Sequence, residues 1–109
     1  MSDYKVPVKH YQQLAELFPE TFAAMENLGI AVHKAGPIEG KTAHLIQLAA
    51  AAAIHSEGSV HSHTRRAIQA GATQEEIYHT LLLLISTIGY PRVAAAIAWA
   101  QDILDKTDK

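Results

Sequence analysis

The chain has 109 residues, no cysteine, 49% hydrophobic residues and a formal net charge of −2 at pH 7. This length predicts a single domain, 1–109, and the small charge gives no electrostatic reason to expect nucleic acid or a membrane surface as a partner. Without cysteine, thiolate nucleophiles and disulfide redox cycling are excluded. No apolar stretch reaches the roughly 20 residues that cross a bilayer, and the first residues carry no export signal, so we expect a cytoplasmic protein.

The first half of the chain predicts three helices, because apolar residues recur at spacings of three and four almost throughout. A short helix near Lys9–Leu17 is followed by a second that begins at Pro19, a residue suited to the first helical turn, and stops at Gly36-Pro37. The third is predicted over roughly Lys41–Ser56, and its run Ala49–Ala53 permits close approach of another helix backbone. The predicted fold class is therefore all-α.

Small polar groups and imidazoles are concentrated around the start of a fourth helix. This helix is predicted from Ser59, placed to cap the first-turn amides, to Ala70, with Gly71 closing it. Imidazole is the one side chain whose unperturbed pKa lies in the physiological range. We therefore expect a buried site here, among the histidines His44, His55, His61 and His63.

Two further helices complete the predicted bundle of about six. Thr73 and Glu76 have the spacing of a capping box, which starts a fifth helix running through Ile88. Gly89-Tyr90-Pro91 ends that helix and opens a sixth, roughly Pro91–Asp105.

The fifth helix predicts an oligomer. Its run Leu81–Ile85 places bulky apolar groups on every side, and such a helix must be surrounded. A monomer of this length covers it incompletely, which favours burial against a symmetry mate, with Ile97 and Trp99 on the last helix in support. The alternative is a central helix in a monomeric bundle.

Several segments taken together resemble the carboxymuconolactone decarboxylase family, which includes the alkylhydroperoxidase D-like proteins. They are Leu45-Ile46-Gln47-Leu48-Ala49, His63-Thr64-Arg65-Arg66-Ala67, Ala70-Gly71-Ala72-Thr73-Gln74-Glu75-Glu76-Ile77 and Gly89-Tyr90-Pro91. The resemblance covers roughly Lys41–Ala100. It implies an alkylhydroperoxidase D-like helical bundle that assembles as trimers or hexamers.

The peroxidase motif of that family is altered in this chain. The motif is a glutamate, eleven intervening residues, Cys-x-x-Cys, three residues and a histidine. Counted back from His63, the cysteine positions hold Ser59 and Ser56, and the glutamate position holds His44. Serine does not cycle through sulfenic acid or a disulfide, so thiol peroxidase activity is not expected. The decarboxylase branch, which also lacks the cysteine pair, is similar in using a histidine at the position of His63.

The resemblance to the decarboxylase branch implies acid–base chemistry of a decarboxylase-like lyase on a small carboxylated or lactone metabolite. His63 lies four residues after Ser59, so both share a helix face near the amino end, where backbone dipoles favour anions. His63 would act as acid or base, while Ser56 and Ser59 orient substrate or water. A straight helix places His44 about 18 Å from Ser56. The family's use of that position in a proton relay nevertheless implies that His44 is the relay partner.

Two flanking residues are candidate substrate contacts. Arg66 is suited to bidentate binding of a carboxylate, and His61 lies in the same segment. No organic cofactor is expected, since the chain has no glycine-rich phosphate loop.

Three alternative interpretations stay open. One is a metal-binding protein using His44, His63 and a third ligand such as His61 or Glu57, although His61 and His63 would point some 200° apart on a helix. Another is a non-catalytic oligomeric binding module. In the third, His63 only fills or caps a helix interface.

Overall fold

Every regular element in the described part of the chain is a helix. The computed structural model describes residues 9–107 and contains six helices of nine or more residues and one of four. The predicted all-α fold is confirmed. The helices are α1 (Lys9–Leu17), α2 (Pro19–Lys34), α3 (Gly40–Ala53), α4 (Glu57–Gln69), α5 (Gln74–Leu82), α6 (Ile85–Ile88) and α7 (Tyr90–Thr107).

The chain divides between Glu39 and Gly40 into two compact units, so the assignment of one domain over 1–109 stays a prediction. The first unit contains α1 and α2, and the second contains α3 to α7. No helix in the described residues combines the length and apolar character that a bilayer span requires.

The first unit is a pair of helices that meet at Phe18. Pro19 begins α2 as predicted, and the Phe18 amide donates to the Leu14 carbonyl at 2.8 Å. The rings of Tyr11 and Phe22 meet edge to face, with centroids 5.0 Å apart. No residue of α1 or α2 is buried, so most apolar side chains of this unit stay exposed.

The second unit is built around a core of small and aliphatic side chains. The predicted alanine run contributes Ala51 and Ala52, both buried, and small side chains permit close approach of helices there. Complete burial of a leucine or isoleucine stabilises the fold by about 1.5–3 kcal/mol. The fully buried residues are Leu48, Ala52, Val60, Thr64, Ala67, Ile77, Leu81, Val93, Ala96, Ala100 and Leu104.

The turn after α3 comes earlier than predicted, because α3 ends at Ala53 instead of Ser56. His55 has a left-handed backbone, with φ 61°. Its amide donates to the Ala52 carbonyl at 3.0 Å. The Ser56 amide donates to the Ala51 carbonyl, also at 3.0 Å. This pair of bonds is the Schellman motif, here built on a histidine where glycine is usual.

The start of α4 differs from the prediction for the same reason. Ser56 has extended backbone angles, and its Oγ accepts a hydrogen bond from the Ser59 amide at 3.3 Å. The prediction of Ser59 as the cap is wrong, because the early end of α3 leaves Ser56 in the capping position. The helix consequently begins at Glu57.

The fifth predicted helix is interrupted. It ends at Leu82, and a turn at 83–84 separates it from α6, so the prediction of one helix through Ile88 is wrong. The Leu84 amide donates to the carbonyl of Leu81, three residues back, at 3.0 Å. This tighter turn ends α5, and Leu84 and Ile88 then pack against the core.

The leucine-rich run is only partly covered within one chain. Leu81 is fully buried, whereas Leu82 and Leu83 are 48% and 62% exposed. Ile97 and Trp99, expected at a subunit interface, are partly buried against the core of their own chain. The oligomer stays a prediction, with the exposed leucines as its remaining basis.

Candidate functional site

The structure brings His44 and His63 together. α3 supplies His44 and α4 supplies His63, and their ring centroids lie 5.9 Å apart with an angle of 36° between the ring planes. The Nδ1 atoms of both rings are shielded from solvent. The left-handed turn at His55 precedes the return of α4 along α3, and this return brings His63, not Ser56, next to His44.

Helical periodicity explains why both rings face the same interface. His44 lies one turn before Leu48 on α3, and His63 lies one turn before Ala67 on α4; both of these neighbours are fully buried. Side chains four residues apart share a helix face. The apolar pattern that packs α3 against α4 therefore also directs the two imidazoles into the boundary between these helices.

The two serines lie at the amino end of α4. Both are partly buried, and Ser56 accepts the Ser59 amide as described above. Ser59 shares a face with His63, one turn away. Ser59 and the first-turn amides therefore lie on the same helix as His63, and this helix end suits an anionic group because the helix dipole is positive there.

Thr64 is a residue that the sequence did not single out. It is fully buried, and among the described residues its Oγ1 has no hydrogen-bond partner. An unpaired buried hydroxyl costs about 1–3 kcal/mol. The sequence does indicate that position 64 faces the core, because Thr64 lies four residues after Val60 and three before Ala67, on the same helix face.

The predicted substrate contacts do not join this cluster. Arg66 is exposed, and its Nε donates to Ser62 Oγ at 3.2 Å. His61 belongs to another helix interface, because its Nε2 lies 2.9 Å from Asp102 Oδ2 on α7. Arg65 is more enclosed than Arg66, and its burial, followed by the neighbouring Arg66 charge, lowers the pKa of its guanidinium.

The structure does not assemble the three-histidine metal set. In residues 9–107, the group of three ligand side chains whose donor atoms lie within 4.8 Å of one another is Glu57, His61 and Asp102. His44 and His63 are outside it. The sequence indicates Glu57 as a candidate ligand, whereas it gives no signal for Asp102, which lies 41 residues from His61.

An ion pair anchors the beginning of α3. Lys41 Nζ lies 2.9 Å from Glu76 Oε2, which joins α3 to α5. The capping box predicted from the sequence is present, with Thr73 Oγ1 accepting the Glu76 amide at 3.0 Å and Glu76 Oε1 accepting the Thr73 amide at 2.9 Å. The Thr73 amide, then Lys41, lowers the pKa of the Glu76 carboxyl. His44 lies one turn after Lys41, so the Lys41–Glu76 ion pair fixes the end of α3 that carries His44.

Comparison with known proteins identifies the family. The family model described as the carboxymuconolactone decarboxylase family matches residues 19–102. The chain belongs to the carboxymuconolactone decarboxylase family. The match extends the resemblance seen over 41–100 back to the start of α2.

Two proteins are similar to this chain, one in sequence and one in structure. The chain is 28% identical over 92 residues to uncharacterized protein MJ1511 of Methanocaldococcus jannaschii, covering 84% of this chain and 86% of that protein. Its fold is similar to the crystal structure of apo-lpg0406, a carboxymuconolactone decarboxylase family protein from Legionella pneumophila. That similarity has a TM-score of 0.77 and 27% identity, and it covers 92% of this chain and 88% of the other.

Proposed function

We propose that this family member is a cytoplasmic, cysteine-independent acid–base lyase, decarboxylase-like, acting on a small carboxylated or lactone metabolite. The observation that carries the proposal is the His44–His63 pair, with centroids 5.9 Å apart at the boundary of α3 and α4. Family membership supports the decarboxylase-like class. The serines at positions 56 and 59 weigh against thiol peroxidase chemistry, because their hydroxyls are not redox-active.

The proposed reaction divides the work between the two rings. Loss of CO₂ breaks a C–C bond and leaves its electron pair on the substrate carbon. Protonated His63 donates its proton to that carbon and becomes neutral. His44 then relays a proton from solvent back to His63, which restores the starting state.

The amino end of α4 is the proposed binding region for the substrate carboxylate. First-turn amides and the Ser59 hydroxyl are donors there, and Ser56 holds the turn by accepting the Ser59 amide. Arg66 is a further proposed contact for the substrate carboxylate, because it is exposed and a guanidinium binds carboxylates bidentately. The engagement of His61 by Asp102 favours a different role for His61. The chemistry requires no organic cofactor.

We propose a homo-oligomer, trimer or hexamer, as the working form. Leu82, Leu83 and Tyr90 are 48%, 62% and 63% exposed, and a second copy of the chain would cover such apolar side chains. Light scattering after gel filtration measures the mass directly. Replacement of Leu83 by Lys is expected to lower that mass toward the mass of one chain. If the unmodified protein already had the mass of one chain, the proposed assembly would be contradicted.

The function is tested with a panel of small carboxylated lactones, following CO₂ release and deuterium incorporation from D₂O at the carbon that loses CO₂. His63→Ala is expected to lower kcat/KM by about 10²–10⁴-fold, the usual contribution of a general acid or base. His44→Ala is expected to retain more activity and to alter the pH–rate profile. His79→Ala removes an exposed histidine on α5 and serves as the matched control.

Two outcomes would overturn this proposal. Turnover unchanged in His63→Ala would show that the imidazole is not the acid or base. Binding of the panel by the unmodified protein without CO₂ release would favour the non-catalytic binding module. A separate peroxide-consumption assay is expected to show no turnover, and robust turnover without an added metal or cofactor would refute the exclusion of peroxidase activity.

A further inference from the structure

A second cluster of ligand side chains lies between α4 and α7, on the other side of α4 from His63. Glu57 and His61 are four residues apart on α4, so they share one helix face. Asp102 approaches that face from α7. One donor atom from each residue lies within 4.8 Å of the other two.

We propose that Glu57, His61 and Asp102 form a binding site for a divalent transition-metal ion such as Zn²⁺. Imidazole nitrogen is a good ligand for Zn²⁺, Ni²⁺ and Co²⁺, and two carboxylates complete a three-residue set that leaves a position for water. Mg²⁺ and Ca²⁺ prefer oxygen ligands alone, so the histidine selects against them.

The distance between His61 and Asp102 is close to the distance between two ligand atoms in a bound site. His61 Nε2 and Asp102 Oδ2 lie 2.9 Å apart. Two ligand atoms in a tetrahedral zinc site, each about 2.0–2.1 Å from the ion, are about 3.3 Å apart. The two atoms must move apart by only a few tenths of an ångström. The Asp102 side chain can make this movement because it is 55% exposed, whereas the His61 side chain is 18% exposed.

The charge of the cluster also favours a cation. It contains two carboxylates and one imidazole, and the basic side chain within ion-pairing distance of Asp102 is His61. Among residues 9–107, neither carboxylate of the cluster is paired with a lysine or arginine. Close like charges repel, and a divalent ion neutralises both.

The proposal does not depend on the lyase function. His61 and His63 are about 200° apart on the helix, so a metal at His61 would join α4 to α7 without touching the His44–His63 pair. Its expected effect is on the packing of these two helices, since an ion bound only by the folded chain stabilises that state.

The test is titration of the full chain, freed of any affinity tag, with Zn²⁺ by calorimetry and with Co²⁺ by visible absorption. One ion is expected to bind per chain. His61→Ala and Asp102→Asn are each expected to weaken binding about tenfold or more, because loss of even an outer-shell partner costs about 10–100-fold. The matched controls are His79→Ala and Asp105→Asn, which change an exposed histidine and an exposed aspartate elsewhere and are expected to bind normally.

Three results would overturn the proposal. They are absence of saturable binding, normal binding by both cluster variants, and loss of binding in His44→Ala but not in His61→Ala. Asp102→Asn preserves the shape of an exposed side chain, so it tests the site even if His61→Ala fails to fold. Circular dichroism of each variant separates loss of a ligand from loss of structure.

Discussion

The left-handed conformation of His55 has a measurable effect on stability. Residue 55 has φ 61°, and its ring packs against Trp99 with centroids 4.9 Å apart. We expect His55→Ala to destabilise the protein by about 0.5–1.5 kcal/mol, the range for a pair of aromatic rings, because alanine keeps the backbone strain and loses the ring contact.

His55→Gly is expected to recover most of that loss. A left-handed conformation costs a residue with a Cβ about 1–2 kcal/mol, and glycine avoids this cost. The greater conformational entropy of glycine in the unfolded state reduces that gain by about 0.5–1 kcal/mol. The glycine variant should therefore be more stable than the alanine variant by about 0.5–1 kcal/mol. The glycine variant should have nearly wild-type stability, because the free energy gained by relieving the strain roughly equals the free energy lost with the ring contact.

Urea unfolding of the three proteins, followed by circular dichroism, measures this order at constant m-value. The comparison of glycine with alanine is the decisive one, because both lack the ring. If alanine were equally stable or more stable, the left-handed turn would not be the element that ends α3. The proposed orientation of His44 toward His63 would then need another cause.

Two other substitutions test contacts near the site. Thr64→Val is expected to stabilise the protein by about 1 kcal/mol, because it removes a buried hydroxyl with no partner among the described residues; destabilisation in urea unfolding would mean that the hydroxyl is bonded. Glu76→Gln keeps the capping box and removes the charge that faces Lys41. The folded-state pKa of Glu76 lies below its ordinary 4.5, so its charge stabilises the fold above that pH and the contribution is lost as pH falls through the lowered pKa. The stability difference between wild type and Glu76→Gln should therefore shrink in acid, and a difference independent of pH would contradict the assignment.

Local sequence signals predicted most of the helices. Pro19 marked the start of α2, and the Thr73–Glu76 capping box marked the start of α5, because these signals act through bonds within one helical turn. Gly71, with φ 103°, closes α4 as expected. The family resemblance was likewise readable from short segments at fixed spacing, and it is confirmed by the match over residues 19–102.

Boundaries that depend on packing were missed. Nothing in the local sequence indicates that a histidine will adopt the left-handed turn, since glycine is the usual residue there. His55 can do so beside Trp99, which lies 44 positions later in the sequence. The break at 83–84 is similar, because no proline or glycine causes it and the core contacts of Leu84 and Ile88 accompany it.

For the site, the sequence by itself determined which chemical groups are present: imidazoles and hydroxyls, with no thiol. Periodicity also separated His61 from His63, because residues two apart on a helix face nearly opposite directions. Only the tertiary structure decided their partners. The return of α4 along α3 gives His63 the partner His44, and the packing of α7 gives His61 the partner Asp102. Both pairs join residues distant in the chain, and such contacts depend on how whole helices pack, which no local pattern encodes.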